Sequence, residues 1–379
     1  MNSATKFEIF LGTAPGLEYY LRAEAIEAGY KNAKTVGGGV TFWGDWSDVW
    51  RANLIFRGAS KVLVRIGQFR VMHLAQLDKR AQKFAWSDIL TPGLLIVKVE
   101  VVTGKRNKIY HADAAAERLE RAITAQCDAK IAATSDEAQV VIKARIQNDT
   151  MVLSVDTSGA GLHKRGYKQA MGKAPLRETM AANLLRACGY TGNETVIDPM
   201  CGSGTFLIEA AQIASGIMAG RDRQFAFEHL TTFDAAPVAQ IKRDWDEARP
   251  ARSNLPKFYG SDRNEKVIGF AKANAKRAGV DALCKFQPLA ISNIKRPEGA
   301  PGLVIVNPPY GSRIGNKKEL FSLYHAFGEI MRDRFEGWRI AMLTTDKMLA
   351  ESTKLPWEPA RAPIAHGGLK VKLFQTKAL

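Results

Sequence analysis

The sequence predicts an α/β chain in two halves: an α+β half up to about residue 165, then a doubly wound domain built on a parallel sheet. Three observations predict it. From residue 195 onward, short apolar strands alternate with helices of apolar spacing, the pattern of βαβ units. A run of small residues, Thr157-Ser158-Gly159-Ala160-Gly161, breaks both helical and strand periodicity and marks the boundary. Within the first half, positive charge is concentrated on residues 51–110, with 12 basic against three acidic side chains.

In order, Phe7 to Leu11 reads as a strand, and Leu17, Leu21 and Ala25 share one helical face. A glycine-rich turn and a strand around Val40 to Trp43 follow. A helix opened by Asp45, with Trp46, Val49, Trp50 and Leu54 on one face, leads into the strand Val62 to Phe69. These elements form a βαβ-type lobe that closes by about residue 60, its aromatics serving the core. Next come a helix at 74–84, a strand at 94–102, the basic turn Gly104-Lys105-Arg106-Asn107-Lys108 and an Ala/Glu/Arg-rich helix at 112–126. The strands Val140 to Ile146 and Val152 to Asp156, joined at Asn148-Asp149, complete an α+β module. The second half reads as strand 195–197, helix 205–218, strand 258–260, helix 265–278, strands 284–288 and 303–306, helix 318–334 and strand 339–343. The stretch from Arg221 to Pro256 is longer than a usual connection, and Ile241 and Trp245 suggest an inserted helix.

With 46% hydrophobic and 24% charged residues over 379 positions, the composition is that of a globular protein of two or three domains. Collagen, low-complexity disorder and disulfide scaffolds are excluded. The 54 Lys and Arg against 38 Asp and Glu leave a formal charge of +16, which favours a polyanionic partner, nucleic acid first. Residues 51–110 carry 12 basic and three acidic side chains, against four and six in residues 1–50. Arg70, Lys79, Arg80, Lys83, Lys105, Arg106 and Lys108 are therefore candidate RNA contacts, with Lys164, Arg165 and Lys168 after the boundary lining the RNA path. Cys127, Cys188, Cys201 and Cys284 form no Cys-x-x-Cys pair, and the six histidines show no ligand spacing, so neither a metal nor a disulfide framework is expected. No apolar run reaches the roughly 18–20 residues of a membrane span and no signal peptide is evident, so the chain reads as cytosolic.

Three motifs carry chemistry. Val196-Ile197-Asp198-Pro199-Met200-Cys201-Gly202-Ser203-Gly204-Thr205 sets a Gly-x-Gly turn between a strand and a helix, so the backbone can approach a ligand and free amides face it. It lacks the third glycine of the dinucleotide fingerprint and the Gly-Lys-Ser/Thr of a P-loop, which disfavours a bound pyrophosphate or triphosphate. Asp262 ends the next strand, where a carboxylate can accept from both ribose hydroxyls of an adenosyl ligand, or alternatively cap the following helix. The run Leu303-Val304-Ile305-Val306-Asn307-Pro308-Pro309-Tyr310 is the strongest signal. Two prolines stiffen the backbone and remove amide donors, leaving the Asn307 oxygen and the Pro308 carbonyl to accept from an exocyclic amine, with Tyr310 as a stacking face.

Glycine turn, ribose acid and Asn-Pro-Pro-Tyr in this order resemble a class I S-adenosylmethionine-dependent amino-methyltransferase. Leu11-Gly12-Thr13-Ala14-Pro15-Gly16-Leu17-Glu18, Gly37-Gly38-Gly39-Val40, Asp156 to Tyr167 and Ala174-Pro175-Leu176-Arg177-Glu178-Thr179 extend the likeness to the THUMP-domain 23S rRNA guanine-N2 methyltransferases of the RlmL type. The resemblance covers nearly the whole chain. It implies a ferredoxin-like lobe at 1–60, a THUMP RNA-binding module at 61–165 and a Rossmann-like methyltransferase domain at 166–379 whose final hairpin includes His366 to Leu373. The second methyltransferase domain fused in some relatives is not expected here. The implied site holds S-adenosylmethionine at Asp198, Pro199, Cys201, Gly202, Ser203, Gly204, Asp262 and Asn307, with Asn307, Pro308, Pro309 and Tyr310 acting on the base. One departure is Ala290, at a place where the family has an acidic residue near the cofactor adenine; backbone groups, Ser292 or Asn293 then serve it.

The expected reaction is in-line methyl transfer to the N2 amine of a flipped-out guanosine. Asparagine and prolines grip an amine without naming its base, so N6-adenine methylation of RNA or DNA is an alternative. Ala290 supports a third, a non-catalytic RNA-binding assembly factor.

Overall fold

The computed structural model describes residues 6–93, 95–169, 176–249, 255–310 and 317–379. Leu94 of the expected strand and Ala174 and Pro175 of the expected Ala-Pro-Leu-Arg motif lie outside them. The chain divides into two compact units, neither contiguous in sequence. The first comprises Met1–Thr13, Glu24–Leu162 and Gly220–Asp246; the second comprises Ala14–Ala23, His163–Ala219 and Glu247–Leu379.

Through residue 156 the elements run β1 (Phe7–Gly12), α1 (Glu18–Glu27), β2 (Lys34–Val36), β3 (Gly39–Gly44), α2 (Trp46–Ile55), β4 (Lys61–Arg70), α3 (Leu74–Lys83), β5 (Ile96–Thr103), α4 (Ala112–Cys127), β6 (Lys130–Ile131), β7 (Val140–Gln147) and β8 (Thr150–Asp156). Their strands form one eight-stranded sheet in the order β2-β3-β1-β4-β8-β7-β5-β6. Only β5 pairs in parallel, with β6 and β7; the other neighbours are antiparallel. Strands from both sides of residue 60, where the first lobe was expected to close, thus share one sheet. Local chemistry accounts for its ends. Asp45 and Asp48 cap α2 reciprocally, each accepting from the other's backbone amide. Asn148 and Asp149 both take positive φ, 51° and 54°, as a tight hairpin between twisted strands demands.

The small residues after β8 are not a free connector. Thr157 and Ser158 are buried, and Asn53 on α2 donates to Thr157 Oγ1 at 2.9 Å while its Oδ1 accepts from Ser158 Oγ at 2.7 Å. They are small because they pack. The first unit then recruits residues 220–246 from far along the chain: Gly220 N donates to Leu54 O (2.8 Å) and Phe227 N to Thr157 O (3.0 Å).

The remaining elements are α5 (Glu178–Ala187), β9 (Val196–Asp198), α6 (Thr205–Ala214), α7 (Ala235–Glu247), β10 (Phe258–Asp262), α8 (Glu265–Arg277), β11 (Cys284–Pro288), β12 (Leu303–Val306), α9 (Lys317–Arg334), β13 (Arg339–Thr344), α10 (Lys347–Ser352), β14 (Ile364–His366) and β15 (Leu369–Ala378). The second unit's sheet has the order β11-β10-β9-β12-β13-β15-β14, parallel from β11 to β13 and closed by the antiparallel β15 and β14. This is the expected doubly wound fold. Every residue of the central strand β12 is buried, as a parallel strand covered on both faces requires. The chain passes from β9 to β10 on one side and returns through β12 on the other, so a crevice opens at the carboxyl ends of β9 and β12. The inserted helix is α7; α5, α10 and the short strands β2 and β6 were not anticipated. Helix α6 stops at Ala214 rather than 218, where Ser215 and Gly216 (φ 62°) turn the chain. Among the described residues no helix is long and apolar enough to cross a membrane.

Two basic residues expected on an RNA path are structural instead. Arg165 Nη2 meets Glu209 Oε1 at 3.1 Å, with both side chains almost fully buried. Lys168, itself nearly buried, donates to Leu176 O (2.6 Å) and Thr205 Oγ1 (2.9 Å), 3.7 Å from Glu178. Proximity to the boundary suggested a surface path, but each charge has an acidic partner inside the fold. Glu209→Ala, which deprives buried Arg165 of that carboxylate, is expected to cost about 3–5 kcal/mol of stability, whereas Arg165→Met with Glu209→Leu recovers most of it. Urea midpoints of the three proteins check this.

Candidate active site at the sheet's carboxyl edge

The crevice is built from three strand ends. Strand β9 delivers Asp198, which is 2% exposed and accepts from Met200 N at 3.1 Å. Burial, first, and the nearby Asp262 charge push its carboxyl up to about 8, against an ordinary 3.8, while the Met200 amide opposes the shift. After Pro199, Cys201 N donates to Ser261 O on β10 (2.9 Å), which ties the turn to the neighbouring strand. Gly202 and Gly204 take φ of 51° and 83°. A Cβ on Gly202 would meet nothing within 4 Å, so the turn borders open space there; one on Gly204 would lie 2.9 Å from the Phe286 ring. The first glycine leaves room for a ligand and the second lets α6 pack on the sheet. Ser203 is buried, and its carbonyl accepts from Asn274 Nδ2 of α8 at 3.2 Å.

Strand β10 delivers Asp262. Its Oδ2 accepts from Gly202 N (3.1 Å) and its Oδ1 from Asn264 N (2.9 Å). The helix-cap role falls to Asn264, whose side chain accepts from Lys266 N, so capping α8 does not account for Asp262. Each carboxylate oxygen keeps a second lone pair able to accept. Beyond β11, Ala290 is exposed and opens a short turn over Ile291–Asn293, with Ser292 and Asn293 also exposed.

Strand β12 delivers Asn307 and the two prolines. Asn307 Oδ1 is buried and has no hydrogen-bond partner among the described residues. A buried acceptor left unmade costs about 1–3 kcal/mol, so it is a candidate to accept from a ligand donor. No hydrogen bond reaches the Pro308 carbonyl among the described residues, whereas Pro309 O accepts from Tyr324 Oη (3.2 Å), which also lies 3.3 Å from Thr344 Oγ1. Tyr310 does not present a stacking face. It is 8% exposed and packs in the apolar cluster that includes Phe206 and Phe286, because a ring next to the second proline turns inward to bury its area.

Sequence reading missed Tyr324 and Asn274. Tyr324 sits on an apolar helical face with Leu320, Phe327 and Met331 and reads there as core; Asn274 interrupts the apolar stripe of Ile268, Ala271 and Ala275, the one signal that could have found it. Of the expected RNA contacts, Arg70, Lys79, Arg80, Lys83, Lys105, Arg106 and Lys108 are exposed on the first unit and Lys164 is exposed on the second. Arg80 and Lys83 also lie in the last turn of α3, where they favour the helix dipole. Among the described residues no group of three or more His, Cys, Asp or Glu is placed to hold a metal ion.

The family described as RMKL-like, methyltransferase domain, matches residues 165–369, and that described as RlmL ferredoxin-like domain matches residues 8–63. A Synechocystis sp. protein bearing the name "Putative RNA methyltransferase" is 32% identical over 378 residues, 98% of this chain and 97% of that protein. The crystal structure of "SMU.472, a putative methyltransferase complexed with SAH" covers 99% of this chain and 98% of its own at a TM-score of 0.87 and 25% identity. A "predicted N6-adenine-specific DNA methylase" from Listeria monocytogenes covers 99% and 97% at a TM-score of 0.86 and 28% identity.

Because Asp198 keeps its proton up to about pH 8 when folded and loses it near its ordinary value when unfolded, its contribution to stability falls as pH rises from about 4 to 8 and levels off above. Asp198→Asn lacks that slope. Its melting temperature is expected to gain on wild type steadily from pH 5 to 8, then hold a constant lead, as thermal scans across that range would reveal.

Proposed function

The chain belongs to the RMKL-like methyltransferase family, and we propose that it transfers a methyl group from S-adenosylmethionine to the exocyclic N2 amine of a guanosine in RNA, with 23S rRNA the favoured substrate. The observation that carries this reading is the buried Asn307 Oδ1, without a partner among the described residues, just after β12, the strand that lies beside β9 and its open Gly202 turn. The residues fit the cofactor. Gly202 leaves it room, Asp262 offers lone pairs to two ribose hydroxyls, and Asp198 offers a carboxyl group that the cofactor's ammonium end, once bound, would draw toward its ionised form. The SAH held by the SMU.472 relative is the demethylated form of the same molecule, which supports the assignment. S-adenosylmethionine, when bound, supplies an electrophilic methyl on a positively charged sulfur.

This chain's residues do the positioning. The base amine is a weak nucleophile because its lone pair is delocalised into the ring. Asn307 Oδ1 and the Pro308 carbonyl accept its two N–H bonds and aim the lone pair along the line of transfer. Proline rigidity holds the two acceptors still, and Tyr324 pins the Pro309 carbonyl just behind them. The amine becomes cationic on transfer and sheds its proton afterwards, so no side chain need remove it first. Residues 1–60 as a ferredoxin-like lobe and 61–165 as a THUMP module would supply affinity through phosphate contacts from Arg70, Lys79, Arg80, Lys83, Lys105, Arg106 and Lys108 in the cytoplasm, while residues 166–379 judge the base. The name of the Listeria relative favours a second reading, N6-adenine methylation, which the same acceptor pair would serve.

Incubation with unmodified rRNA and methyl-labelled cofactor, then digestion to nucleosides, is expected to yield N2-methylguanosine. Asn307→Ala should lose at least about 100-fold in rate while still binding cofactor. N6-methyladenosine as the product would replace the base assignment, and no product from wild type would point to a non-catalytic RNA-binding factor.

A further inference from the structure

The eight-stranded sheet of the first unit has two unlike faces. One carries Ile9, Leu11, Val64, Leu153, Ile142 and Val99, all buried, and lies so near Phe84 that a Cβ on Gly67 would sit 2.6 Å from its ring. The other face can be followed row by row through the register. Trp43 opposes Glu8, which pairs with Arg65 at 4.0 Å; Arg65 opposes Ser154, Ser154 opposes Lys143, and Lys143 opposes Glu100. Past the irregularity between Arg65 and Gly67, the next row is Gln68, Val152, Arg145 and Val102, and then come Arg70, Thr150 and Gln147. Of all these only Ser154 is buried; Trp43 is 68% and Val102 63% exposed.

Charge on this face is unbalanced. Lys143 is paired with Glu100, but Arg70 and Arg145 have no ion pair among the described residues. Arg65 Nη1 donates to Ser154 Oγ at 2.7 Å, and its Cζ lies 4.9 Å from the centre of the Phe10 ring, which fixes it in place. Burial weakens the guanidinium's hold on its proton and the neighbouring Arg145 charge adds to that, against the pull of Glu8. Two like charges are thus held close on an open surface, an arrangement that an anion relieves.

We propose that this open sheet face binds single-stranded RNA, with a base stacked on Trp43 and the phosphate backbone held by Arg65 and Arg145. The proposal rests on the RNA reading above and adds where on the first unit the strand lies and in what form it is bound. A duplex offers phosphates and 2′-hydroxyls while its bases stay stacked on each other, so the exposed ring of Trp43 and the apolar surfaces of Val152 and Val102 would be wasted on it. An unpaired base has a free π-face for each. From β3 to β5 the face crosses six strands about 4.8 Å apart, roughly 24 Å, which is room for several nucleotides.

The test uses the full chain and a fluorescently labelled, unstructured eight-nucleotide RNA followed by anisotropy. Trp43→Ala is expected to weaken binding at least about fivefold and Trp43→Phe to restore most of it. Arg145→Glu should weaken binding and lower the slope of log affinity against log salt by about 1. Both residues are exposed, so unchanged melting curves will establish that the variants fold. Unaltered affinity in Trp43→Ala would overturn the proposal, as would polyphosphate, which has no bases, binding with the same dependence on Trp43. If wild type methylates rRNA yet ignores the oligonucleotide, this proposal alone falls; if it neither binds nor methylates any RNA, the functional reading falls with it.

Discussion

Removal of polar groups from water at the point where the strand order of the parallel sheet reverses governs most of what the second unit can do. Because β9 and β12 are neighbours whose onward connections leave on opposite sides, the residues after them border a crevice rather than a crossing loop. Asp198 stands there uncharged up to about pH 8, and Asn307 Oδ1 stands there with no donor among the described residues. Each is a cost to the fold. The surrounding structure meets it with rigid supports: the Gly202 amide on Asp262, Asn274 on the Ser203 carbonyl, and Tyr324 on the Pro309 carbonyl. A candidate site made in this way would be pre-organised before any ligand arrives.

The parts of this site that could be read in the sequence are those in which backbone chemistry is written directly in residue type. Glycines at 202 and 204, an acid ending β10 and two prolines after an apolar strand each state a local conformation, and the alternation of strands and helices states the sheet on which they stand. Asn148-Asp149 and Asp45 told of a hairpin and a helix start for the same reason. What could not be read depends on partners far away in sequence. Arg165 and Lys168 look like surface charges until Glu209, 44 residues on, and Glu178 are brought to them. Thr157 and Ser158 look like a linker until Asn53 reaches them from α2. Tyr310 looks like a stacking platform until the core claims its ring. In each case residue type was compatible with two environments, and tertiary packing chose.

On the proposed function, the two units would divide recognition along physical lines. Exposed basic side chains on the first can contribute affinity without asking which base is present, since phosphate carries no sequence. Discrimination among bases needs buried, directional acceptors, which on the proposed reading Asn307 and Pro308 would supply. Long-range attraction and short-range choice would then fall to different surfaces.

The way the units share the chain bears on how the molecule is made. Residues 220–246 belong to the first unit, and residues 14–23 belong to the second. During synthesis the amino-terminal sheet can collect its eight strands early, but its complement of hydrogen bonds waits until Gly220 and Phe227 leave the ribosome, by which time β9 and α6 are already outside. Neither unit can be finished before the other has begun, so birth of the protein is interleaved rather than sequential, and a gene cut at the apparent seam would yield two orphans.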